Sequence, residues 1–90
     1  MKDDPFDRAY MQAVGEFLSE KRKMSGRTLD DIAFVIDIKW NTLYKYERGD
    51  RQIPIEVLQK LCRFYNVDFL QTFRDINNRA IDIMMKELKK

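Results

Sequence analysis

The side chains best suited to bind a partner are concentrated in one short stretch, residues 39–48. Leu43 and Tyr46 are spaced to share one face of a helix. Helical geometry then turns five side chains to the opposite face: Trp40, Asn41, Tyr44, Lys45 and Arg48. This set combines an amide that both donates and accepts hydrogen bonds with two cations and two aromatic rings. On an arbitrary helix such residues would simply be solvated, so the pattern alone does not decide their role.

The residue types that catalyse reactions do not form a recognisable set. Paired carboxylates occur at Asp3-Asp4, in a terminal segment, and at Asp30-Asp31, near a helix start, and neither pair indicates acid–base catalysis. The chain has no histidine and a single cysteine, which argues against the usual zinc clusters and an internal disulfide. No glycine-rich phosphate loop or paired nucleophile and base is present. We therefore expect no enzyme activity, no metal and no cofactor.

Length and composition indicate one small globular domain. Ninety residues can bury one helical core but not a separate ligand-binding domain, so we expect no fused sensor. Hydrophobic residues make up 44% and charged residues 36%, and no apolar run approaches the ~20 residues of a membrane span. The N-terminal sequence MKDDPFDRAY lacks the apolar stretch of a secretory signal. The expected location is the cytoplasm.

The distribution of charge is more informative than the net value of +2. Residues 1–38 carry 6 basic and 8 acidic side chains, residues 39–55 carry 4 and 2, and residues 56–90 carry 7 and 5. The positive excess begins at the candidate binding helix. This placement is consistent with contact to phosphate groups.

The apolar spacing predicts an all-α chain of five helices after a flexible tail at residues 1–5. The helices are expected at residues 6–23, 29–36, 39–48, 55–65 and from residue 68 onward. Asp37 separates the second and third helices, because Asp tolerates the left-handed conformation that a sharp turn requires. Gly26 and Gly49 are expected to end the first and third helices in the same conformation.

The C-terminal segment carries more apolar residues than a small domain needs to cover itself. The excess forms a helical stripe: Ile76, Ala80, Ile83, Met84 and Leu88. The stripe can fold back on its own domain, but we favour pairing with the same helix of a second subunit. Asn77-Asn78 either divides this segment into two helices or lies within one long helix, as a polar position that fixes register.

Residues 28–49, TLDDIAFVIDIKWNTLYKYERG, resemble the helix-turn-helix of the lambda-repressor-like family, the Xre, Cro and phage-repressor group. Bacterial members commonly carry an ending like LYKYERG at residues 43–49. The likeness extends to both sides, at Val14, Gly15, Glu16, Arg22, Gly26, Pro54, Leu58, Leu61, Asn66, Val67 and Leu70. The resemblance implies a five-helix DNA-binding domain over residues 6–75. Residues 76–90, which carry the apolar stripe, are expected to form a C-terminal helical extension that serves dimerisation.

The resemblance also implies roles for individual residues, since in this family the third helix enters the major groove and the second crosses the DNA backbone. Base contacts are expected from Trp40, Asn41, Tyr44 and Lys45. Phosphate contacts are expected from Thr28, Leu29, Lys39, Arg48, Arg51 and Gln52. Leu29 stands where many relatives have Gln, so only its backbone N–H can contribute. Arg22 and Glu47 match the positions of a buried ion pair in similar family members.

These expectations together favour a homodimeric transcriptional regulator, a repressor rather than an activator, that binds a palindromic operator on double-stranded DNA. The alternative is a protein-interaction module, such as the antitoxin of a toxin–antitoxin pair, which would hold a protein partner through the C-terminal helix or Trp40. Binding to random duplex DNA that weakens steeply with salt would distinguish the first from the second.

Overall fold

The computed structural model describes residues 4–89, which form five helices and no strand. The helices are α1 (Pro5–Ser25), α2 (Leu29–Val35), α3 (Trp40–Arg48), α4 (Ile55–Phe64) and α5 (Phe69–Leu88). The long α1 packs against both α3 and α5, while α2 packs on α3 and α4 packs on α5. The predicted all-α, five-helix architecture is therefore confirmed.

The start of α1 lies earlier than its apolar pattern indicates. The Asp4 carboxylate accepts a hydrogen bond of 2.8 Å from the Phe6 backbone N–H and caps the helix. Pro5 occupies the first turn, where its missing N–H has no intrahelical partner to lose. The prediction of a flexible tail is wrong for these two residues, because the cap orders them. The rest of that predicted tail, residues 1–3, lies outside the described residues.

Local side-chain and backbone preferences set both ends of α2 and the turn that follows it. Thr28 and Asp31 form a capping box at the start of α2, with hydrogen bonds of 3.1 Å and 3.4 Å. Asp37 then adopts a φ of 62°, which confirms the predicted left-handed residue at this turn. The N–H of Ile38 donates to the Ala33 carbonyl at 3.0 Å, so the chain reverses before α3 begins.

The crossing of α1 over α3 is close enough to exclude a side chain. A Cβ added to Gly15 of α1 would overlap the Glu47 carbonyl oxygen and lie 3.0 Å from the Tyr46 carbonyl oxygen. Gly49, which ends α3 with a φ of 75°, also lies against α1, where an added Cβ would be 3.3 Å from the Met11 carbonyl oxygen. The backbone of α3 therefore rests directly on α1.

The fifth helix continues without interruption from Phe69 to Leu88, which answers the question left open at Asn77-Asn78. The Asn77 amide nitrogen donates to the Phe73 carbonyl one turn earlier at 2.8 Å, so the polar pair is accommodated inside the helix. No helix break separates a DNA-binding domain ending at residue 75 from an extension beginning at residue 76. The second half of α5 is part of the same domain.

The predicted dimerisation stripe is largely turned inward. Ile76 and Ala80 are 1% and 0% exposed, so the prediction that they face a second subunit is wrong: they belong to the monomer's own core. Ile83 and Met84 are half-buried and pack against the same core. Leu88 alone of the five remains largely exposed. The cause is that α5 folds back along α1 and buries this face.

The side chain of Arg79 holds α5 to α1 through charge as well. Its guanidinium donates to Glu20 at 3.1 Å and 3.2 Å and to Glu16 at 3.5 Å. These contacts are partly exposed, so they fix the orientation of α5 on α1 more than they add stability.

None of the helices between residues 4 and 89 is long and apolar enough to cross a membrane.

Candidate nucleic-acid interface

The third helix has one buried and one exposed face. Leu43 and Tyr46 are 1% and 5% exposed and lock the inner face into the core. The structure places five side chains together on the outer face: Trp40, Asn41, Tyr44, Lys45 and Arg48. Since these five span an arc of about 140° at 100° per residue, they form one continuous surface.

An aromatic row runs along one side of this surface. The rings of Trp40 and Tyr44, one turn apart, have centroids 6.3 Å from each other. The Arg48 guanidinium lies 5.6 Å from the Tyr44 ring centroid and donates a 3.1 Å hydrogen bond to the Tyr44 hydroxyl. Trp40 is 56% exposed, so a large planar face is open to a ligand. The row is therefore ordered by contacts within α3 itself.

The second row consists of Asn41 and Lys45, again one turn apart. Both are exposed, and within residues 4–89 neither side chain has a hydrogen-bond or ion-pair partner. The amide of Asn41 thus offers a free donor and a free acceptor, and the ammonium of Lys45 offers three donors. These are the groups of α3 most available to an external partner.

Arg48 is less available than its sequence position indicates. Its Nε donates to the Asp50 carboxylate at 3.1 Å, in addition to the bond to Tyr44. The hydrogen bond and the electrostatic interaction with Tyr44, and after them the charge of Asp50, raise the pKa of Arg48 above its ordinary value, so the residue remains a cation. Sequence reasoning missed this arrangement, although an acidic residue two positions after Arg48 was a visible signal.

The inward position of Glu47 strengthens the positive character of the outer face. Glu47 is turned toward α1, where the Nε of Arg22 donates to its two carboxylate oxygens at 2.9 Å and 3.1 Å. The side chains of Arg22 and Glu47 are 24% and 8% exposed. The exposed surface of residues 39–52 thus bears four cations against the single carboxylate of Asp50: Lys39, Lys45, Arg48 and Arg51.

The residues expected to contact phosphate lie in three places. Thr28 and Leu29 are at the start of α2, where the Thr28 hydroxyl serves the capping box and the Leu29 side chain packs against the core. Lys39 caps α3 without a side-chain hydrogen bond, so its ammonium is free. Arg51 and Gln52 are exposed in the loop between α3 and α4.

Acidic residues reduce the attraction at the first of these places. Asp30 and Asp31 occupy the first turn of α2, where they already compensate the positive end of its dipole. Phosphate approaching Thr28 or Leu29 would meet this negative charge. Lys39, Arg51 and Gln52 have the more favourable surroundings for an anion.

Tyr65 is half-buried and lies within electrostatic range of the ion pair between Arg22 and Glu47. Burial raises the pKa of Tyr65 to about 12, with Glu47 acting in the same direction and Arg22 opposing it. Because the folded pKa lies above the ordinary 10.0, the contribution of Tyr65 to the free energy of unfolding is intact below pH 10 and is lost as the pH rises through about 12.

Between pH 10 and about pH 12 the free energy of unfolding should fall more for the wild type than for Tyr65→Phe, measured by urea denaturation. Tyr44→Phe, at an exposed ring, should lose as much stability as the wild type; an equal loss in Tyr65→Phe would contradict the prediction.

The helix-turn-helix family model matches residues 18–71, more than half of the chain. A protein of Pyrobaculum aerophilum, provisionally named an HTH-type transcriptional regulatory protein, is 30% identical over 60 residues. That match covers 67% of this chain and 24% of the relative. Relatives of the same description in Saccharolobus islandicus and Saccharolobus solfataricus are 30% identical over 53 residues, or 59% of this chain and 17% of theirs.

The chain thus spans about a quarter or less of the length of these curated relatives. No solved structure matches it significantly. The family match covers the turn at Asp37, the exposed face of α3 and the core that supports both. The chain therefore belongs to the lambda-repressor-like helix-turn-helix family of DNA-binding transcriptional regulators.

Proposed function

We propose that the chain is the DNA-reading part of a cytoplasmic repressor that binds a palindromic operator as a homodimer. The outer face of α3 carries the proposal: its polar and aromatic side chains are exposed while Leu43 and Tyr46 hold the helix in the core. In this family the corresponding helix lies in the major groove, and two copies contact half-sites about 34 Å apart. Repression requires only that the bound domain occupy the operator.

Base recognition rests on the row formed by Asn41 and Lys45. The Asn41 amide matches the acceptor and donor of an adenine edge, and the Lys45 ammonium matches the two acceptors of guanine. Trp40 and Tyr44 contact sugars or thymine methyl groups with their exposed rings. Phosphates are contacted by Lys39, Arg51, Gln52 and the guanidinium of Arg48. Thr28 and the Leu29 N–H make weaker phosphate contacts.

Selection of bound sequences from a random DNA pool is the direct test, and it should recover a palindrome. On that sequence, Asn41→Ala should weaken binding by about 1–3 kcal/mol, because one bidentate base contact is lost, and should relax the preference at one base pair of each half-site. Lys60→Ala is the control, since Lys60 is an exposed cation on α4 and is not among the residues of the proposed surface. Fluorescence anisotropy at fixed salt measures both.

Salt dependence distinguishes the phosphate contacts from the base contacts. Replacing Lys39 or Arg51 with Ala should weaken binding to all sequences equally and reduce the salt slope by about 0.9 per lost contact. A wild-type chain that shows no binding to duplex DNA even at low salt would overturn the proposal.

A protein-interaction module of the antitoxin type is the second candidate. One observation favours it: Phe34 on α2 is 86% exposed and Trp40 is 56% exposed, and large apolar side chains in such positions often meet protein partners. DNA binding that is unaffected by Asn41→Ala and Lys45→Ala, combined with loss of a protein complex on Phe34→Ala, would favour this reading.

A further inference from the structure

Three side chains at the end of α3 are joined by hydrogen bonds, and we name this set the Tyr44 network: Tyr44, Arg48 and Asp50. The Nε of Arg48 donates to the Asp50 carboxylate at 3.1 Å, and its Nη1 donates to the Tyr44 hydroxyl, also at 3.1 Å. The guanidinium lies 5.6 Å from the Tyr44 ring centroid, within the range of a cation–π contact. The network uses two of the five N–H donors of Arg48 and leaves the other three for phosphate.

The backbone of Asp50 is fixed to α3, although this residue lies beyond the end of the helix. Gly49 ends α3 with a φ of 75°, and the N–H of Asp50 then donates to the Lys45 carbonyl at 2.9 Å. These two features are those of a Schellman motif. Gly49 in turn lies against α1, where an added Cβ would be 3.3 Å from the Met11 carbonyl oxygen. The packing of the domain therefore presents the Asp50 carboxylate to Arg48.

The Tyr44 network determines which part of the Tyr44 hydroxyl is left for a ligand. A phenol hydroxyl can both donate and accept a hydrogen bond. Because Arg48 occupies the acceptor side, the group left over is the hydroxyl hydrogen, which has no acceptor within residues 4–89. A cation that donates to the oxygen also polarises the O–H bond, so the hydroxyl becomes a stronger donor. Tyr44 is 43% exposed, which leaves this donor accessible.

We propose that Arg48 and Asp50 are positioning residues that hold the Tyr44 hydroxyl as a hydrogen-bond donor to a base edge, so that cytosine is disfavoured at one position of each half-site. The inference rests on the proposed function, which brings α3 into the major groove. There guanine offers O6 and N7, adenine offers N7 and thymine offers O4, all of them acceptors. Cytosine offers only the N4 donor. The ring contacts proposed for Tyr44 leave the hydroxyl at its tip for this role.

The effect of the network is to remove a choice that a free hydroxyl would have. A hydroxyl without a partner can turn to donate to guanine or to accept from cytosine, so it distinguishes the two bases poorly. When Arg48 occupies the acceptor side, cytosine brings two donors against each other. Such an unmade hydrogen bond in a desolvated contact corresponds to about a tenfold loss of affinity. Arg48 and Asp50 thus change the base preference of Tyr44 without touching the base.

Binding of the full chain to a pair of DNA sites tests the inference. The two sites differ in one half-site, at the position whose base preference is lost in Tyr44→Phe, where one carries guanine and the other cytosine. Fluorescence anisotropy gives the two Kd values, and the wild type should favour guanine about tenfold. Arg48→Leu should bring the ratio close to one, because the freed hydroxyl can accept from cytosine. The phosphate contact that is also lost weakens binding to both sites equally and cancels in the ratio.

Two substitutions of Asp50 separate its hydrogen bond from its charge. Asp50→Ala and Asp50→Asn remove the same negative charge beside the DNA, so both should strengthen binding to all sequences alike. Only the Asn side chain still offers an oxygen to the Nε of Arg48. Asp50→Asn should therefore keep the tenfold preference for guanine, and Asp50→Ala should reduce it to about threefold or less. Equal ratios in the two variants would overturn the positioning role of Asp50.

Two lysine variants are controls for the ratio. Lys39→Ala should weaken binding to both sites and leave the ratio unchanged, because phosphate contacts carry no base preference. Lys60→Ala should change neither the affinities nor the ratio. An Arg48→Leu protein that keeps the wild-type ratio would overturn the inference. So would a Tyr44→Phe protein that binds all sequences equally more weakly, since the hydroxyl would then contact phosphate.

Failure of this inference is distinguishable from failure of the proposed function. A recovered palindrome together with an unchanged ratio in Arg48→Leu would reject the role of the Tyr44 network alone. A wild type that binds no duplex DNA at low salt would reject the proposed function, and the base preference of Tyr44 with it.

The Tyr44 network can also be measured in the free protein. The NMR signal of the Arg48 Nε–H should shift in both Asp50→Ala and Tyr44→Phe, because each removes one of its hydrogen-bonded neighbours, and should stay in place in Lys60→Ala. A signal that Asp50→Ala leaves unchanged would overturn the inference, whether or not the protein binds DNA.

Discussion

Gly15→Ala should lower the free energy of unfolding by about 3 kcal/mol or more, because the added methyl group meets backbone rather than a movable side chain. The Glu47 carbonyl oxygen would overlap the new Cβ, and the Glu47 carbonyl carbon would lie 2.9 Å from it. To accommodate the methyl group, α3 must move away from α1. Intrinsic helix propensity alone predicts the opposite sign, a gain of about 1 kcal/mol at a position inside a helix. Urea denaturation gives the sign directly.

Gly26→Ala is the control for this substitution. Gly26 has a φ of 72° and no atom within 4 Å of an added Cβ, so the change costs only the strain of the left-handed conformation, about 1 kcal/mol. We expect Gly15→Ala to be clearly the more destabilising of the two. A Gly15→Ala protein as stable as the wild type would show that α1 and α3 are farther apart than the structure places them.

Glu47→Ala should destabilise the protein by about 2–3 kcal/mol, because it leaves the Arg22 guanidinium partly buried without its counter-charge. The expected loss is below the ~3–5 kcal/mol of a fully buried pair, since the side chain of Arg22 is 24% exposed. Thermal or urea unfolding measures the change. The side chains of the proposed DNA interface are untouched, so any loss of DNA affinity at a temperature where the variant is folded would come from displacement of α3.

Two further variants serve as controls for Glu47→Ala. Asp50→Ala removes the partner of Arg48 from a pair that is more than half exposed on both sides, and it should leave the stability close to that of the wild type. The double variant Arg22→Met/Glu47→Leu replaces both charges with apolar groups and should recover most of the stability lost in Glu47→Ala. If Glu47→Ala unfolds like the wild type, the pair contributes nothing to the fold.

Gly15 and Glu47 act on the same contact, the crossing of α1 and α3. Gly15 allows the two backbones to approach, and the hydrogen bonds between Arg22 of α1 and Glu47 of α3 hold the two helices together. A recognition helix of only 9 residues is too short to be stable in isolation, so its orientation depends on this support. Substitutions at the crossing should therefore reduce DNA affinity without touching DNA.

The sequence by itself determined the features that depend on neighbours in the chain. The capping box of Thr28 and Asp31, the left-handed turn at Asp37 and the glycine end of α3 follow from preferences that act within a few residues. The two faces of α3 follow from its helical period, which assigns Leu43 and Tyr46 to one side and Asn41 and Lys45 to the other. The pairing of Arg22 with Glu47, 25 residues apart, was available only through the family resemblance.

Only the tertiary structure decided how the faces of α5 are used. Its period places Ile76 and Ala80 on one apolar face and Leu70, Phe73 and Ile81 on another, and both are plausible core faces in the sequence. The choice depends on where α1 lies, which no residue near position 76 encodes. Because α1 covers Ile76 and Ala80, the other apolar face is left exposed. Which face of a helix is buried depends on which helices pack together in the tertiary structure. The apolar pattern of one helix shows only which of its residues can be buried together.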